Sequence, residues 1–345
     1  MKRQILPLVL ASMAATGVYA EGPIDGELYG KIFLSLENQE LDVPGTGNDV
    51  DEWELKTNAS RIGVQGKSEL NDSLNVIYKI EWEIDATGDD NRDLRTRNRY
   101  VGLTGDFGTV IAGKHDTPLK MAQNKIDLFN DLTGDIKETF AGENRINDIV
   151  MYTSPTIAGF AASVAFSTDQ GEEQVGTNEA DDLADGISLA LTYTLDDLLF
   201  AVAIDQDVVS DDPTVSNFSP LIGANDEFLM DIIRLVAQWS PGDFQFGFMY
   251  QQAEDSETVD IVDQDGIFVS GQYKLGKHVF KAQYGMTEDD AQLKNDFEAT
   301  TLSLGYDQKL GKNTKWFAFF TKNEDESGIF DTEETVFGVG MEHKF

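Results

Sequence analysis

The sequence predicts an all-β chain, closed into a 16-stranded antiparallel transmembrane β-barrel. Three observations carry this prediction. Hydrophobicity alternates residue by residue through almost the whole chain, as strands with one apolar face require. The connections between the alternating segments are long and short by turns. Beyond the first twenty residues no apolar run reaches 18, so the sequence offers no membrane-spanning helix, while a membrane barrel would hide its apolar face in alternate positions.

The first twenty residues read as a separate element. Lys2 and Arg3 precede the apolar run ILPLVLASMAATGV, and Val18-Tyr19-Ala20 supplies small residues at the −3 and −1 positions of a cleavage site. Residues 1–20 are expected to be a cleaved secretory signal peptide, leaving 21–345 as one barrel domain. Alternation then begins. In LYGKIFLSL, Leu28, Ile32, Leu34 and Leu36 share one face, with Tyr29, Lys31, Phe33 and Ser35 opposite. In 73–85, Leu74, Val76, Tyr78, Ile80, Trp82 and Ile84 oppose Asn75, Lys79, Glu81, Glu83 and Asp85. The same pattern returns at 159–167 and 243–253, and closes the sequence in TVFGVGMEHKF, where Phe337, Val339, Met341 and Phe345 alternate with Gly338, Gly340, Glu342 and Lys344.

Spacing criteria give strands at about 24–37, 53–67, 73–85, 95–104, 108–115, 145–153, 159–167, 186–194, 198–205, 228–240, 243–253, 265–275, 278–287, 297–308, 314–323 and 334–345. Connections after even-numbered strands are turns such as PG at 241–242 and GK at 276–277. Those after odd-numbered strands are mostly long and acidic, among them 168–185, 206–227 and 324–333. The fifth strand is followed by the longest, about 116–144, within which 125–140 is the main candidate for a helical turn. One rim of long loops and one of tight turns is the mark of an up-and-down barrel. A soluble sandwich also alternates but does not need so many consecutive long strands. A barrel with its apolar face inward would have to fill a lumen that sixteen strands make too wide. Apolar outside and polar inside, in lipid, is the arrangement that remains.

Composition narrows the function. The formal charge is −36, and −38 once Lys2 and Arg3 leave with the signal peptide, which excludes nucleic acid as a partner. There are no cysteines and only three histidines, His115, His278 and His343, and none pairs with a Ser or Asp in a recognisable hydrolytic constellation. No phosphate-binding glycine loop or metal-ligand spacing is present, so an enzyme is not expected.

Several stretches resemble the general (non-specific) porins of Gram-negative outer membranes: LYGKI (28–32), SRIGVQGKSEL (60–70), RNRYVGLTGDFGTVIAGKHDTPLK (97–120), NRINDIVMYTSPTIAGF (144–160) and GVGMEHKF (338–345). They follow the family's order across the chain. The resemblance implies a homotrimer in the bacterial outer membrane, a third loop folded into the pore, passive diffusion of small hydrophilic solutes and ions, and a terminal aromatic, here Phe345, read by the insertion machinery. A second reading is a closed or structural barrel acting through its acidic external loops, in adhesion or in binding of ions or lipopolysaccharide.

A pore works through charges at its narrowest point. In the third loop Asp127, Asp131, Asp135 and Glu138 are spaced three or four apart, which on a helical turn would place them on one face. By resemblance Asp127 and Asp131 fall on the acidic side of the constriction, with Asp135 close by. Opposite, Arg95, Arg97 and Arg99 alternate along one strand and are expected to share its lumen face. Lys31, Arg61 and Arg145 also fall on inward faces, and by resemblance Lys31, Arg61, Arg97 and Arg145 form the basic ladder, with Arg95 extending it. Trp82, Tyr100, Tyr193, Tyr250, Tyr273, Tyr284 and Phe345 are expected on the lipid face, several near strand ends where interfacial girdles form.

No cofactor is required for this function. The acidic runs 168–185, 205–212 and 323–334 would however repel anionic lipopolysaccharide, so Ca²⁺ or Mg²⁺ is expected to bridge them to lipid or to each other. The basic ladder favours anions and the acidic vestibule cations. With screening over roughly 8 Å, the constriction should dominate at high salt and the vestibule at low salt.

Overall fold

The computed structural model describes residues 25–44, 49–88, 94–168, 184–211, 227–256, 262–290, 297–326 and 331–345. The signal peptide and most of the 168–185 run lie outside the described residues.

The wall is antiparallel throughout. Its segments are β1 (Asp25–Asp42), β2 (Val50–Thr57), β3 (Arg61–Asn71), β4 (Leu74–Ile84), β5 (Leu94–Gly105), β6 (Gly108–Asp116), β7 (Arg145–Thr153), β8 (Phe160–Ser167) and β9 (Gly186–Leu195). They continue with β10 (Leu198–Asp211), β11 (Glu227–Trp239), β12 (Phe244–Asp255), β13 (Asp263–Leu275), β14 (His278–Asp289), β15 (Phe297–Lys309), β16 (Thr314–Glu326) and β17 (Thr332–Lys344). β17 returns to β1 in a register running from Lys31↔Lys344 to Asp42↔Glu333, which closes the sheet.

Seventeen segments make sixteen wall strands, because β2 and β3 are two parts of one. β1 pairs with β3 through Asp25–Lys31 and with β2 from Leu34 onward. The interruption at Asn58-Ala59-Ser60 has Ala59 at φ 48°, and side chains take over the ladder: Phe33 N–H donates to Ser60 Oγ at 2.9 Å and Asn58 Nδ2 to Ser35 Oγ at 2.7 Å.

Burial follows the alternation. Ala201 and Ala203 are 3% and 1% exposed while Phe200 and Val202, which alternate with them, are 47% and 46%, so the bulky apolar face points out of the barrel. Several strands run past their apolar stretch. β10 carries Asp205 and Asp207 within the wall, and β16 and β17 carry Glu324, Asp325, Glu333 and Glu334, so these parts of the acidic runs are strand and not loop. A transmembrane strand needs only about ten residues, and backbone pairing continues beyond the bilayer at no cost to the pattern.

The lumen is not polar throughout. The long connection 117–144, called L3 below, lies inside the barrel and packs its apolar side chains against the far wall. Ile126, Ile136 and Phe140 join Met249 and Phe268; Phe129 and Leu132 join Phe33, Phe317, Phe319 and Val336. Two wall glycines make this approach possible. A Cβ at Gly247 would collide with Ile126, and one at Gly305 with the Phe129 ring. The inward phenylalanines of β16 similarly lie over Gly338 and Gly340.

Candidate functional site: a charged gap inside the barrel

L3 begins with a short helix, α1 (Pro118–Ala122), whose N-cap Thr117 accepts the Lys120 N–H at 3.1 Å. Pro118 suits the first helical turn because the N–H it lacks would be unpaired there. The short helical turn expected within 125–140 is present, but as a single 3₁₀ turn, too short to set the four carboxylates on one face. The segment is a run of turns ending in a 3₁₀ turn at Ile136–Glu138, with Asn124 and Asp131 both at positive φ. Its aspartates explain this, since Asp side chains hydrogen-bond nearby backbone N–H groups and compete with the helix ladder. Asp127 accepts from Phe129 N–H at 3.0 Å and Ile136 N–H at 3.4 Å; Asp135 accepts from Lys137 N–H at 3.0 Å and Asp131 N–H at 2.7 Å. Asp127, Asp131 and Asp135 therefore do not share a helix face.

Asp131 is the one that reaches across. Its Oδ2 lies 2.7 Å from Lys31 Nζ and 2.6 Å from Arg61, so L3 is tied to β1 and β3. Burial alone would raise its pKa, but Lys31 and Arg61 outweigh that and hold the carboxyl below its usual range. Burial pushes Asp127 well above that range, and the neighbouring charge of Asp135 adds to it. Asp135 is raised mainly by burial.

The basic side is knitted by carboxylates. Arg97 donates from Nε to Glu81 Oε1 at 2.9 Å and from NH1 to Glu83 Oε2 at 2.8 Å. Lys79 lies 3.5 Å from Glu81, which also accepts the Tyr29 hydroxyl at 2.8 Å. Arg145 meets Asp116 at 2.9 Å and donates to Asn98 Oδ1 at 2.6 Å. Arg95 is 60% exposed and only 3.8 Å from Glu83. Lys31, Arg61, Arg95, Arg97 and Arg145 thus come together around the gap with Asp131. Glu81, Glu83 and Asp116 belong with them and escape attention in the sequence because each resembles an ordinary polar position on its strand. Alternation of Glu81 and Glu83 with apolar residues was their signal.

Arg99 is misplaced by the sequence pattern. Between Ile80↔Arg99 and Trp82↔Thr96 the register slips by one, so β5 carries an extra residue at Arg97–Asn98 and both side chains are buried. The bulge inverts the parity beyond it. Tyr100 turns into the lumen, packing beside Ile111 and 5.3 Å from the ring of His115, and Arg99 turns out. Its guanidinium sits 5.0 Å over the Trp82 ring, on the outer face. Neither the lumen position of Arg99 nor the lipid-facing position of Tyr100 holds.

The far root of L3 is held by a pair the sequence does not announce. Arg234, fully buried on β11, donates to Glu143 Oε1 at 2.7 Å, Ala141 O at 3.0 Å and Gln251 Oε1 at 2.7 Å. Phe345 lies on the outer face, its backbone paired with Gly30 and its ring over that glycine.

Between L3 and the β3–β7 wall there remains a cavity of about 730 Å³, lined by Arg61, Arg95, Arg97, Asp131 and Arg145 among others. Apolar strands outside, a closed wall and a charged passage within define an outer-membrane channel for passive diffusion. The chain belongs to the Gram-negative porin family, whose model matches residues 8–328. It is 24% identical to the major outer membrane protein P.IB of Neisseria sicca over the full length of both chains. It is 29% identical to outer membrane protein U of Vibrio cholerae over 58% of this chain and 64% of that one. The fold is that of the anion-selective porin from Comamonas acidovorans, with a TM-score of 0.71 at 18% identity over 93% of this chain and all of that one. The trimer form of OmpT from Vibrio cholerae gives 0.65 at 18% identity over 94% of this chain and all of that one. The protein is a channel of the outer membrane and not an enzyme, and a closed barrel acting through its loops is not favoured.

Proposed function

We propose that small hydrophilic solutes and ions cross this barrel through the gap between L3 and the ladder of Lys31, Arg61, Arg97 and Arg145, extended by Arg95, with Asp131 as the acidic contact. The observation that carries this reading is the inward seat of L3, which confines the passage to that cavity. Asp127 and Asp135 shape the loop around Asp131 and do not themselves reach the ladder. The long-loop rim faces outward and the turns face the periplasm. The trimer form of a structural relative supports a homotrimer here. The outward placement of Phe345 supports its reading by the insertion machinery, and residues 1–20 act as the export signal.

Lipid and lipopolysaccharide surround the barrel, and divalent cations bridge its acidic rim to them; trimer melting that ignores chelation of divalent ions would sink that bridging. Purified protein added to planar bilayers is expected to give ohmic conductance in steps of three. Insertion without conductance would refute the channel reading, and single steps would refute the trimer.

A further inference from the structure

We propose that one arc of the turn-bearing rim, from β13 to the end of β17, is a binding surface for phospholipids of net negative charge in the inner leaflet. The inference rests on the reading that the turns face the periplasm. It starts from an uneven rim on a chain whose overall charge is strongly negative. The turns β3–β4, β5–β6, β7–β8, β9–β10 and β11–β12 carry Asp72, Asp106, Asp196, Asp197 and Asp243 and no base. The turns β13–β14 and β15–β16 carry Lys277 and Lys312 and no acid, and Lys274, Lys309 and Lys344 lie at the strand ends beside them.

Backbone pairing joins these positions in series: Lys309 N–H donates to Lys277 O and Lys344 N–H to Asn313 O, each at 2.8 Å. Lys274, Lys277, Lys309 and Lys312 are exposed and make no ion pair among the described residues. The carboxylates of the arc do not offset them. Asp307 lies between Lys281 at 3.1 Å and Lys315 at 2.9 Å, and Glu342 is 3.1 Å from Lys344. Lys274 and Lys309 fall on the inward parity of their strands and add to the field at the mouth. Lys277 and Lys312, at the turn tips, can reach outward on their flexible stems.

The outer face just above the tips fixes the depth at which they sit. Tyr306 lies 5.9 Å from the ring of His278, 5.4 Å from Phe280 and 5.2 Å from Trp316, so four strand-end rings form one cluster. Its polar tips are paired: His278 Nδ1 with the Tyr306 hydroxyl at 2.6 Å, and Trp316 Nε1 donating to Gln308 Oε1 at 3.1 Å. Rings with an apolar body and a polar tip settle where hydrocarbon gives way to headgroups. The lysines beyond them therefore lie at the depth of lipid phosphates. A zwitterionic lipid brings its own ammonium to that phosphate, so a cluster of unpaired lysines favours a lipid with no compensating cation.

The test is native mass spectrometry of the folded protein in detergent, with phosphatidylglycerol or phosphatidylcholine added. Phosphatidylglycerol is expected to be retained in preference, and Lys277→Gln with Lys312→Gln should weaken its retention about thirty-fold while leaving conductance as it was. Lys67→Gln, a charge removed from an exposed position at the same end of β3, should change neither. Equal retention of the two lipids by the wild type overturns the proposal. A double variant that keeps its lipid overturns it too, and one that keeps the lipid but no longer sediments with peptidoglycan assigns the arc to the cell wall instead. The chain has no cysteine, so Lys277→Cys gives a single labelling site. Its reaction on intact cells with an impermeant maleimide too large for the pore would overturn the orientation and with it the leaflet, whereas a shielded site without lipid preference overturns the proposal alone.

Discussion

Arg234→Ala should release L3 from the wall while leaving the barrel closed. Arg234 is fully buried and makes three hydrogen bonds, one to a carboxylate and two to other groups of L3 and β12. Removing it strands Glu143, which keeps only the Gln123 amide at 2.7 Å on its other oxygen. Losing one partner of a buried pair costs about 3–5 kcal/mol. That corresponds to a hundred-fold to few-thousand-fold rise in the open population of the loop root. Hydrogen exchange followed by mass spectrometry reads this directly, because the Gly142 N–H is bonded to Ser210 Oγ at 3.0 Å and becomes exchangeable only when the root opens. Burial already raises the Glu143 carboxyl and Arg234 opposes that, so in the variant the loss should be greatest at pH 8 and shrink in acid, where Glu143 protonates. Replacing both partners, Glu143→Gln with Arg234→Met, should recover most of the protection, since no orphan charge remains. Exchange at Gly142 that rises less than about ten-fold in Arg234→Ala would refute the assignment of the root to this pair.

Four other outcomes follow from the structure. The carboxyls of Asp127 and Asp135 are raised, so folded L3 holds protons that an unfolded loop would release; its stability should fall as pH climbs from the ordinary carboxylate range through the raised values, and Asp135→Asn should flatten the slope in exchange measurements. Asp131 is depressed, so its contribution is present above the ordinary carboxylate range and lost as pH falls through its lowered value, giving a second decline in strong acid. Arg99→Ala should leave single-channel conductance and ion preference unchanged while Arg97→Ala alters both; a matching change in the two would contradict the bulge. Deleting Phe345 should impair insertion more than the melting of barrels already assembled, and normal surface levels of the truncated chain would refute that role.

Which parts of this molecule are legible in its sequence depends on whether one rule governs them. Strand faces are legible because lipid on one side imposes a period of two over every span; Phe200 and Val202 against Ala201 and Ala203 need no context to be read. Lys31, Arg61 and Arg97 inherit their inward direction from that period. Arg99 does not, since the extra residue in β5 is a backbone event that no side chain there announces. The aspartates of L3 have helical spacing, yet each is used locally as a cap or turn acceptor, so their period describes turns. Arg234 lies in a strand that otherwise looks lipid-facing or core-like, and only its partner from L3, far away in sequence, gives it a role.

The seam between β1 and β17 sets Lys31 opposite Lys344, neighbours separated by almost the entire polypeptide. Contacts of such sequence separation demand loop closure before they return any stabilisation, and they slow folding accordingly. No partial length of this chain can make that pairing, so the barrel cannot mature progressively from its N-terminal end. Until the last strand arrives, β1 has an open edge, and an exposed edge of that length invites pairing with other chains. Transit to the membrane therefore calls for a chaperoned, unfolded polypeptide and for closure in a single late event at the site of insertion.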